Sequence, residues 1–349
     1  MRLIIAIASL CLAAAACGDD DDNNQSDITT STDATTTDST STDTGADTEV
    51  PLAEKIERGR YLVENVAGCP DCHTPRKQDG AFDETRKLAG IDCFVDADPT
   101  SEAAGCLSTA NLTHHATGLM NRTDQQIKDM IQKGERPDGK FLNTFMPYWV
   151  FGNISASDMD AIVAYLRSTT GVDHTVSANQ PPFDNVPAAA PVVDLDDIPM
   201  PRADYSDKEA AMRGRYLAAN VGPCLDCHTQ ATAPGSPEPK VWSKAFQGAE
   251  PFPRDAFGLP PFLPEMIYSV NLTPHATGLA GWTVADVKRV LKEGISKDGK
   301  IVCPPMPAGP GGAFGGLTDA DAEDIAHFIV SLEPQDNAIP NQCAIDPPR

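Results

Sequence analysis

Positive charge is scarce in this chain. Its 349 residues carry 27 Lys and Arg against 50 Asp and Glu, a formal net charge of −23. No basic patch relieves that balance. This excludes nucleic-acid binding as a main role, because neutralising phosphates needs clustered cations. A long apolar run is also lacking. Leu3 to Ala16 gives a run of fourteen residues, apolar except for Ser9, after the basic start Met1-Arg2, too short to span a bilayer and suited to a signal-peptide core. Ala14-Ala15-Ala16 then precede Cys17 as in a bacterial lipoprotein signal, whose cysteine becomes the lipidated first residue; ordinary cleavage after small residues is the alternative. From residue 18 to Val50 there are ten acidic residues, no Lys or Arg, and one large aliphatic residue, Ile28, before the valine. Such a segment cannot bury enough apolar surface to offset its chain entropy, and a disordered tether is expected over 18–50. The chain should therefore be exported and lipid-anchored on the periplasmic side of a bacterial membrane.

Convincing alternating strand patterns are missing as well, and the fold expected is all-α. What is present is a pair of short motifs, Cys69-Pro70-Asp71-Cys72-His73 and Cys224-Leu225-Asp226-Cys227-His228. Both read C-x-x-C-H, the pattern for covalent attachment of c-type haem. The two thiols bond the porphyrin edge, and the adjacent histidine lies under the iron as its proximal ligand. A chain with ten Cys and seven His would produce about 0.006 such matches by chance. A thioredoxin-like pair would follow a strand in a βαβ unit, and a four-thiolate zinc site gives no reason for a histidine after each pair. Two covalently bound haems are the expectation.

The motifs sit in an internal duplication. Arg58-Gly59-Arg60-Tyr61-Leu62 precedes the first, and Arg213-Gly214-Arg215-Tyr216-Leu217 the second. Asn111-Leu112-Thr113 recurs as Asn271-Leu272-Thr273, and Asp138-Gly139-Lys140 as Asp298-Gly299-Lys300. The offset is 155 up to the motifs and 160 afterwards. A period near a domain length implies two homologous domains, 51–170 and 206–335, joined by a Pro- and Asp-rich linker at 171–205 and followed by a tail at 336–349. Helices are expected from Ala53 to Val66, from the capping box at Thr123 to Gly134, from Thr283 to Gly294, and at Ser155–Arg167 and Thr318–Leu332.

The iron's second axial position requires Met, His or nothing permanent. Met146 and Met306 recur at an offset of 160, each before a proline on a loop ahead of the last helix, 73 and 78 residues after the proximal histidines. Methionine raises the potential and suits electron transfer; core filling is the blander role for such a residue. His115 and His275 are the rival candidates. They could instead hydrogen-bond a haem propionate or cap a turn. His114, His174 and His327 lack counterparts in the other copy and read as ordinary surface or interface histidines.

With Gly-Arg-Tyr-Leu, C-x-x-C-H-Thr, Tyr268-Ser269-Val270-Asn271-Leu272-Thr273-Pro274, Gly281-Trp282-Thr283, Asp298-Gly299-Lys300 and a final Met-Pro, the sequence resembles the c-type cytochrome subunits of membrane-associated alcohol, aldehyde and sugar-acid dehydrogenases, and related diheme cytochromes. The resemblance spans nearly all of residues 54–335. It implies two tandem class I-like cytochrome c domains, Met146 and Met306 as axial ligands, and an electron carrier rather than an enzyme. Its partners would be a dehydrogenase as donor and a downstream cytochrome or oxidase as acceptor. The first copy departs with Asn121-Arg122-Thr123 and His114, the second with Ala308-Gly309 after its Met-Pro; such subunits usually carry three haems. A diheme peroxidase-like or thiosulfate-oxidising cytochrome is the alternative reading. Cys93, Cys106, Cys303 and Cys343 remain outside the motifs and the signal. Four thiols allow three pairings, and Cys93–Cys106 with Cys303–Cys343 keeps each pair within one domain of an oxidised, exported protein.

Overall fold

The computed structural model describes residues 50–346, apart from 78–79, 99–100, 102–104, 234–235, 237 and 341–342. The signal segment, the lipidation candidate Cys17 and the acidic tether up to residue 49 lie outside the described residues. Among those described, no helix is long and apolar enough to cross a membrane.

Each copy is built on a pair of crossed helices. In the first copy, α1 (Leu52–Tyr61) runs into a π-turn at Leu62–Val66 and then α2 (Cys69–His73). α3 (Asp124–Lys133), the single turn α4 (Tyr148–Phe151) and α5 (Ala156–Ser168) follow. The second copy repeats this with α6 (Lys208–Tyr216), a π-turn at Leu217–Val221, α7 (Cys224–Cys227), α8 (Val284–Glu293) and α9 (Asp319–Val330). Thr123 and Gln126 form a reciprocal capping box on α3, as Thr283 and Asp286 do on α8, and both helices stop at a left-handed glycine, Gly134 and Gly294. Those caps satisfy the free N–H groups of the first turn and fix where the helices begin.

The repeated Arg-Gly-Arg-Tyr has a packing cause. α1 crosses α5, and α6 crosses α9, at their glycines. A Cβ on Gly59 would stand 1.8 Å from the Ala161 carbonyl oxygen, and one on Gly214 1.8 Å from that of Asp324. Only glycine permits that approach. The preceding arginine clamps each crossing: Arg58 Nε donates to Asp158 at 2.8 Å and Arg213 Nε to Asp324 at 2.7 Å. The tyrosine reaches the other copy. Tyr61 Oη donates to Asp321 at 2.5 Å, and Tyr216 Oη to Asp158 at 2.8 Å. The two copies also share one hydrophobic core, in which Leu62, Val66, Trp149 and Met159 pack in the same cluster as Leu217, Val221, Phe246 and Phe328.

The all-α expectation is overturned. Only about 34% of the described residues are helical, and three two-stranded antiparallel sheets are present among them. β1 (Ile91–Asp96) pairs with β2 (Cys106–Thr109), β3 (Pro251–Pro253) with β4 (Met266–Tyr268), and β5 (Ile301–Val302) with β6 (Ala344–Ile345). These strands are two to six residues long, β1–β2 breaks register at a bulge, and two of the pairs are pinned by disulfides. Alternation needs four to eight residues to show; β3 to β6 fall below that length, and the bulge between Ile91 and Val95 breaks the alternation of β1.

Candidate functional site

The π-turns deliver the C-x-x-C-H segments to nearly identical positions. In the first copy, Thr74 accepts a hydrogen bond at Oγ1 from the Leu88 N–H; in the second, Thr229 accepts one from Phe246 N–H. Leu88 and Phe246 share a positive φ, 60° and 62°, and each accepts a bond from the leucine of Asn-Leu-Thr, Leu112 or Leu272. Gly90 and Gly248 donate to the His73 and His228 carbonyls, both at 2.8 Å. The asparagine of each Asn-Leu-Thr, Asn111 or Asn271, accepts from the threonine two residues on.

His73 and His228 are 8% and 6% exposed. Their Nδ1 atoms lie 2.7 Å from the Ala110 carbonyl oxygen and 2.9 Å from that of Val270. A carbonyl can only accept, so Nδ1 carries the proton and Nε2 keeps its lone pair. That is the arrangement of a metal-ligating imidazole whose other nitrogen is held by a backbone acceptor. Burial lowers the pKa of His73, and that of His228 to about 4, so both rings stay neutral and able to ligate. The motif thiols are half-buried on the cavity wall, and desolvation pushes Cys69, Cys72 and Cys224 up to about 12, and Cys227 well above its usual value. Protonated thiols of this kind are poor redox nucleophiles. They also fail to converge into a metal-sized cluster; among the described residues, the one grouping of that compactness is Cys93, Asp96 and Cys106, two of which are bonded to each other.

One continuous cavity of about 2660 Å³ takes in both motifs: Cys69, Cys72, His73, Cys224, Cys227 and His228 all line it. Sites for one small ligand are typically about 300–1,000 Å³, so the space suits more than one large group. Met146 and Met306 line the same cavity and are partly buried against the core. So does Trp149, fully buried, with its indole N–H lacking a partner. A large apolar space with an unpaired donor, thiols on its wall and two oriented imidazoles fits c-type haem. The rival ligands fare differently. Neither His115 nor His275 lines the cavity, and each ring is hydrogen-bonded at Nδ1 to Thr117 or Thr277 on its own turn. His174 bridges the Ala89 carbonyl and Asp92, His327 meets Tyr205 Oη, and His114 is half-buried. Cys93 is bonded to Cys106, and Cys303 to Cys343; the second bond lies three residues from Met306.

A family model for cytochrome c matches residues 56–170. This stretch is a cytochrome c domain. Relatives extend the likeness. The chain is 26% identical over 295 residues to one of the subunits of nicotinate dehydrogenase from Pseudomonas putida, covering 82% of this chain and 22% of that one. It is 29% identical over 181 residues to the fructose dehydrogenase cytochrome subunit of Gluconobacter japonicus, covering 50% and 34%. A diheme cytochrome c-type protein of Cereibacter sphaeroides is 32% identical over 127 residues, covering 36% and 39%. The chain thus spans about a fifth to two fifths of the length of these relatives. The match of residues 56–170 implies covalent haem c in this stretch.

Sequence reading did not find the residues that hold these features in place. Trp149 follows the repeated Met-Pro by two positions. The pairing of Arg58 with Asp158 spans 100 residues; the repeated arginine was its only trace. Lys240, which is buried beside Asp226, lies where the two copies drift out of register.

Proposed function

We propose that this chain is a diheme c-type cytochrome that carries electrons between redox proteins in a bacterial cell envelope, with a dehydrogenase as donor and another cytochrome or an oxidase as acceptor. The observation that carries this reading is the shared cavity, on which two C-x-x-C-H motifs each present a buried histidine with Nδ1 committed to a backbone carbonyl. Bound there, haem supplies one-electron chemistry. The chain would tether the group through Cys69, Cys72, Cys224 and Cys227, and Nε2 of His73 and His228 would ligate its iron. Met146 and Met306, on their proline-stiffened loops, would supply the further ligands, and the apolar walls would exclude water. Export, lipidation at Cys17 and the acidic leash belong to the same proposal; they would hold an acidic carrier near the membrane and turn it toward basic faces of its partners.

The test is the colour and mass of protein matured in a host that attaches haem c. After denaturation and acid–acetone extraction, the chain should stay red and weigh two haems more than the bare polypeptide. Material that loses its colour, or gains one haem, would end the diheme reading. A methionine-to-iron band for both haems, unchanged on adding peroxide or cyanide, would separate a carrier from a peroxidase-like enzyme.

A further inference from the structure

The two copies neutralise the aspartate of their motif from opposite sides of one β-bridge. Arg76 faces Phe82 across the bridge in the first copy; Ala231 faces Lys240 across its equivalent in the second. The cation has changed strands. Arg76 lies over the Phe82 ring, 4.1 Å from its centroid, and reaches Asp71 at 3.3 Å with 46% of its side chain exposed. Lys240 is only 7% exposed, and its Nζ stands 3.0 Å from Asp226 Oδ1 and 3.1 Å from Glu250 Oε2. Glu250 is fixed in turn by the Ala231 N–H, 2.7 Å away. All three groups line the cavity beside Cys227 and His228.

Burial alone would drive the proton off Lys240. The attraction of Asp226 and Glu250 outweighs it, and the pKa of the amine rises, so the charge stays. A charge shielded from water acts on its surroundings far more strongly than an exposed one, which solvent and salt screen. A cation beside a redox centre favours the reduced form, which carries one positive charge less. A carboxylate does the reverse.

Resting on the diheme reading above, we propose that Lys240, clamped between Asp226 and Glu250, sets the reduction potential of the haem on the second motif, while solvent-facing Arg76 leaves that of the first nearly untouched. Lys240 raises the potential and Glu250 lowers it. The two sites then differ in driving force despite matching thiols and histidines.

Potentiometric titration of the haem-loaded full chain tests this, with two one-electron waves followed in the visible spectrum. Lys240→Met should move one wave down by at least tenfold in the oxidised-to-reduced ratio, about 59 mV for one electron. Glu250→Gln should move the same wave up. Lys240→Arg should hold it within threefold, and Arg76→Met should shift the other wave by less than threefold. A purely structural role would give both charge-removing variants the same sign. Equal signs, or an unmoved wave in Glu250→Gln, overturn the assignment, including where Lys240→Met fails to mature. Haem counts on the same samples separate the two claims: two haems with unmoved waves remove Lys240 from its role. One haem or none removes the diheme reading, and this assignment with it.

Discussion

The copies share a scaffold and differ in how they secure it. In the first, Asp158 on α5 serves two neighbours at once, accepting from Arg58 of its own copy and from Tyr216 of the other. In the second, the same work is divided along α9: Asp321, at the position equivalent to Asp158, takes Tyr61, and Asp324, one turn on, takes Arg213. Disulfides are redistributed too. The hairpin β1–β2 is stapled by Cys93–Cys106, whereas β3–β4 carries no such bond and the staple ties the tail to the Met306 segment. What stays constant is whatever orients the motif histidine: the glycine crossing, the threonine after the motif and the carbonyl on Nδ1. Charge and fastening vary around it, so two geometrically alike sites can differ in strength and stability.

The comparison breaks most sharply at the thiols. Replacing Cys69 and Cys72 together by Ala, or Cys224 and Cys227 together, should each cost one of two covalent haems, read as a halved haem-to-protein ratio after denaturation. Loss of both from either change would mean that the sites mature as one unit, not as copies. Next come the crossings. Gly59→Ala and Gly214→Ala each drive a methyl into a backbone carbonyl 1.8 Å away, which neither helix can avoid without moving. Overpacking of this kind costs about 1–3 kcal/mol, and the two variants should lower the denaturant midpoint by similar amounts. A marked inequality would show that one copy's crossing tolerates separation.

Asp158 offers a finer cut. Its ion pair with Arg58 and that of Asp324 with Arg213 involve arginines 41% and 60% exposed, so solvent screens both and neither contributes much. Asp158→Ala, however, also removes the 2.8 Å acceptor of Tyr216 Oη, leaving it only the longer contacts with Ser155. It should be more destabilising than Asp324→Ala by about 1 kcal/mol, the net worth of one such hydrogen bond. A double-mutant cycle of Asp158→Ala with Tyr216→Phe should recover that difference as a coupling energy; zero coupling would mean that the Tyr216–Asp158 bond contributes nothing.

These contrasts mark what was legible in the chain. Local signals read well: the capping boxes at Thr123 and Thr283 and the repeated Gly-Arg-Tyr-Leu each depend on neighbours within a few residues. The β-hairpins did not read, because strands as short as Ile301–Val302 exist through their partners and a disulfide, not through propensity. Nor did the sharing of one core, since the apolar faces of Leu62 and Leu217 look alike whether they meet their own copy or the other. Lys240 was hidden for a different reason. Its counterpart is Phe82, so aligning the copies hides the substitution of a cation for an aromatic until the bridge with Ala231 is seen.

The smallest expected effect is one of sign. Counting on from Gly90 and Gly248, Asp92 and Glu250 occupy the same position, yet their acidities shift in opposite directions. Bonds from the Ser177 N–H and from His174 hold the Asp92 carboxyl below its usual value, whereas burial raises Glu250 in spite of Lys240. A depressed folded-state pKa means that the unfolded chain binds protons more readily. The stability contributed by Asp92 is therefore full above the unfolded value of about 3.9 and is lost as the pH falls through the folded one. A raised pKa reverses this: the contribution of Glu250 is full below the unfolded value of about 4.3 and is lost as the pH rises through the folded one. Asp92→Asn should thus lower the melting temperature slightly at neutral pH, by an amount that vanishes on acidification. Glu250→Gln should instead remove a loss of stability that the parent protein shows on going from pH 4 toward neutral. Melting temperatures measured from acid to neutral pH check both. Parallel curves for the two variants would mean that the equivalent carboxyls sense the same environment after all.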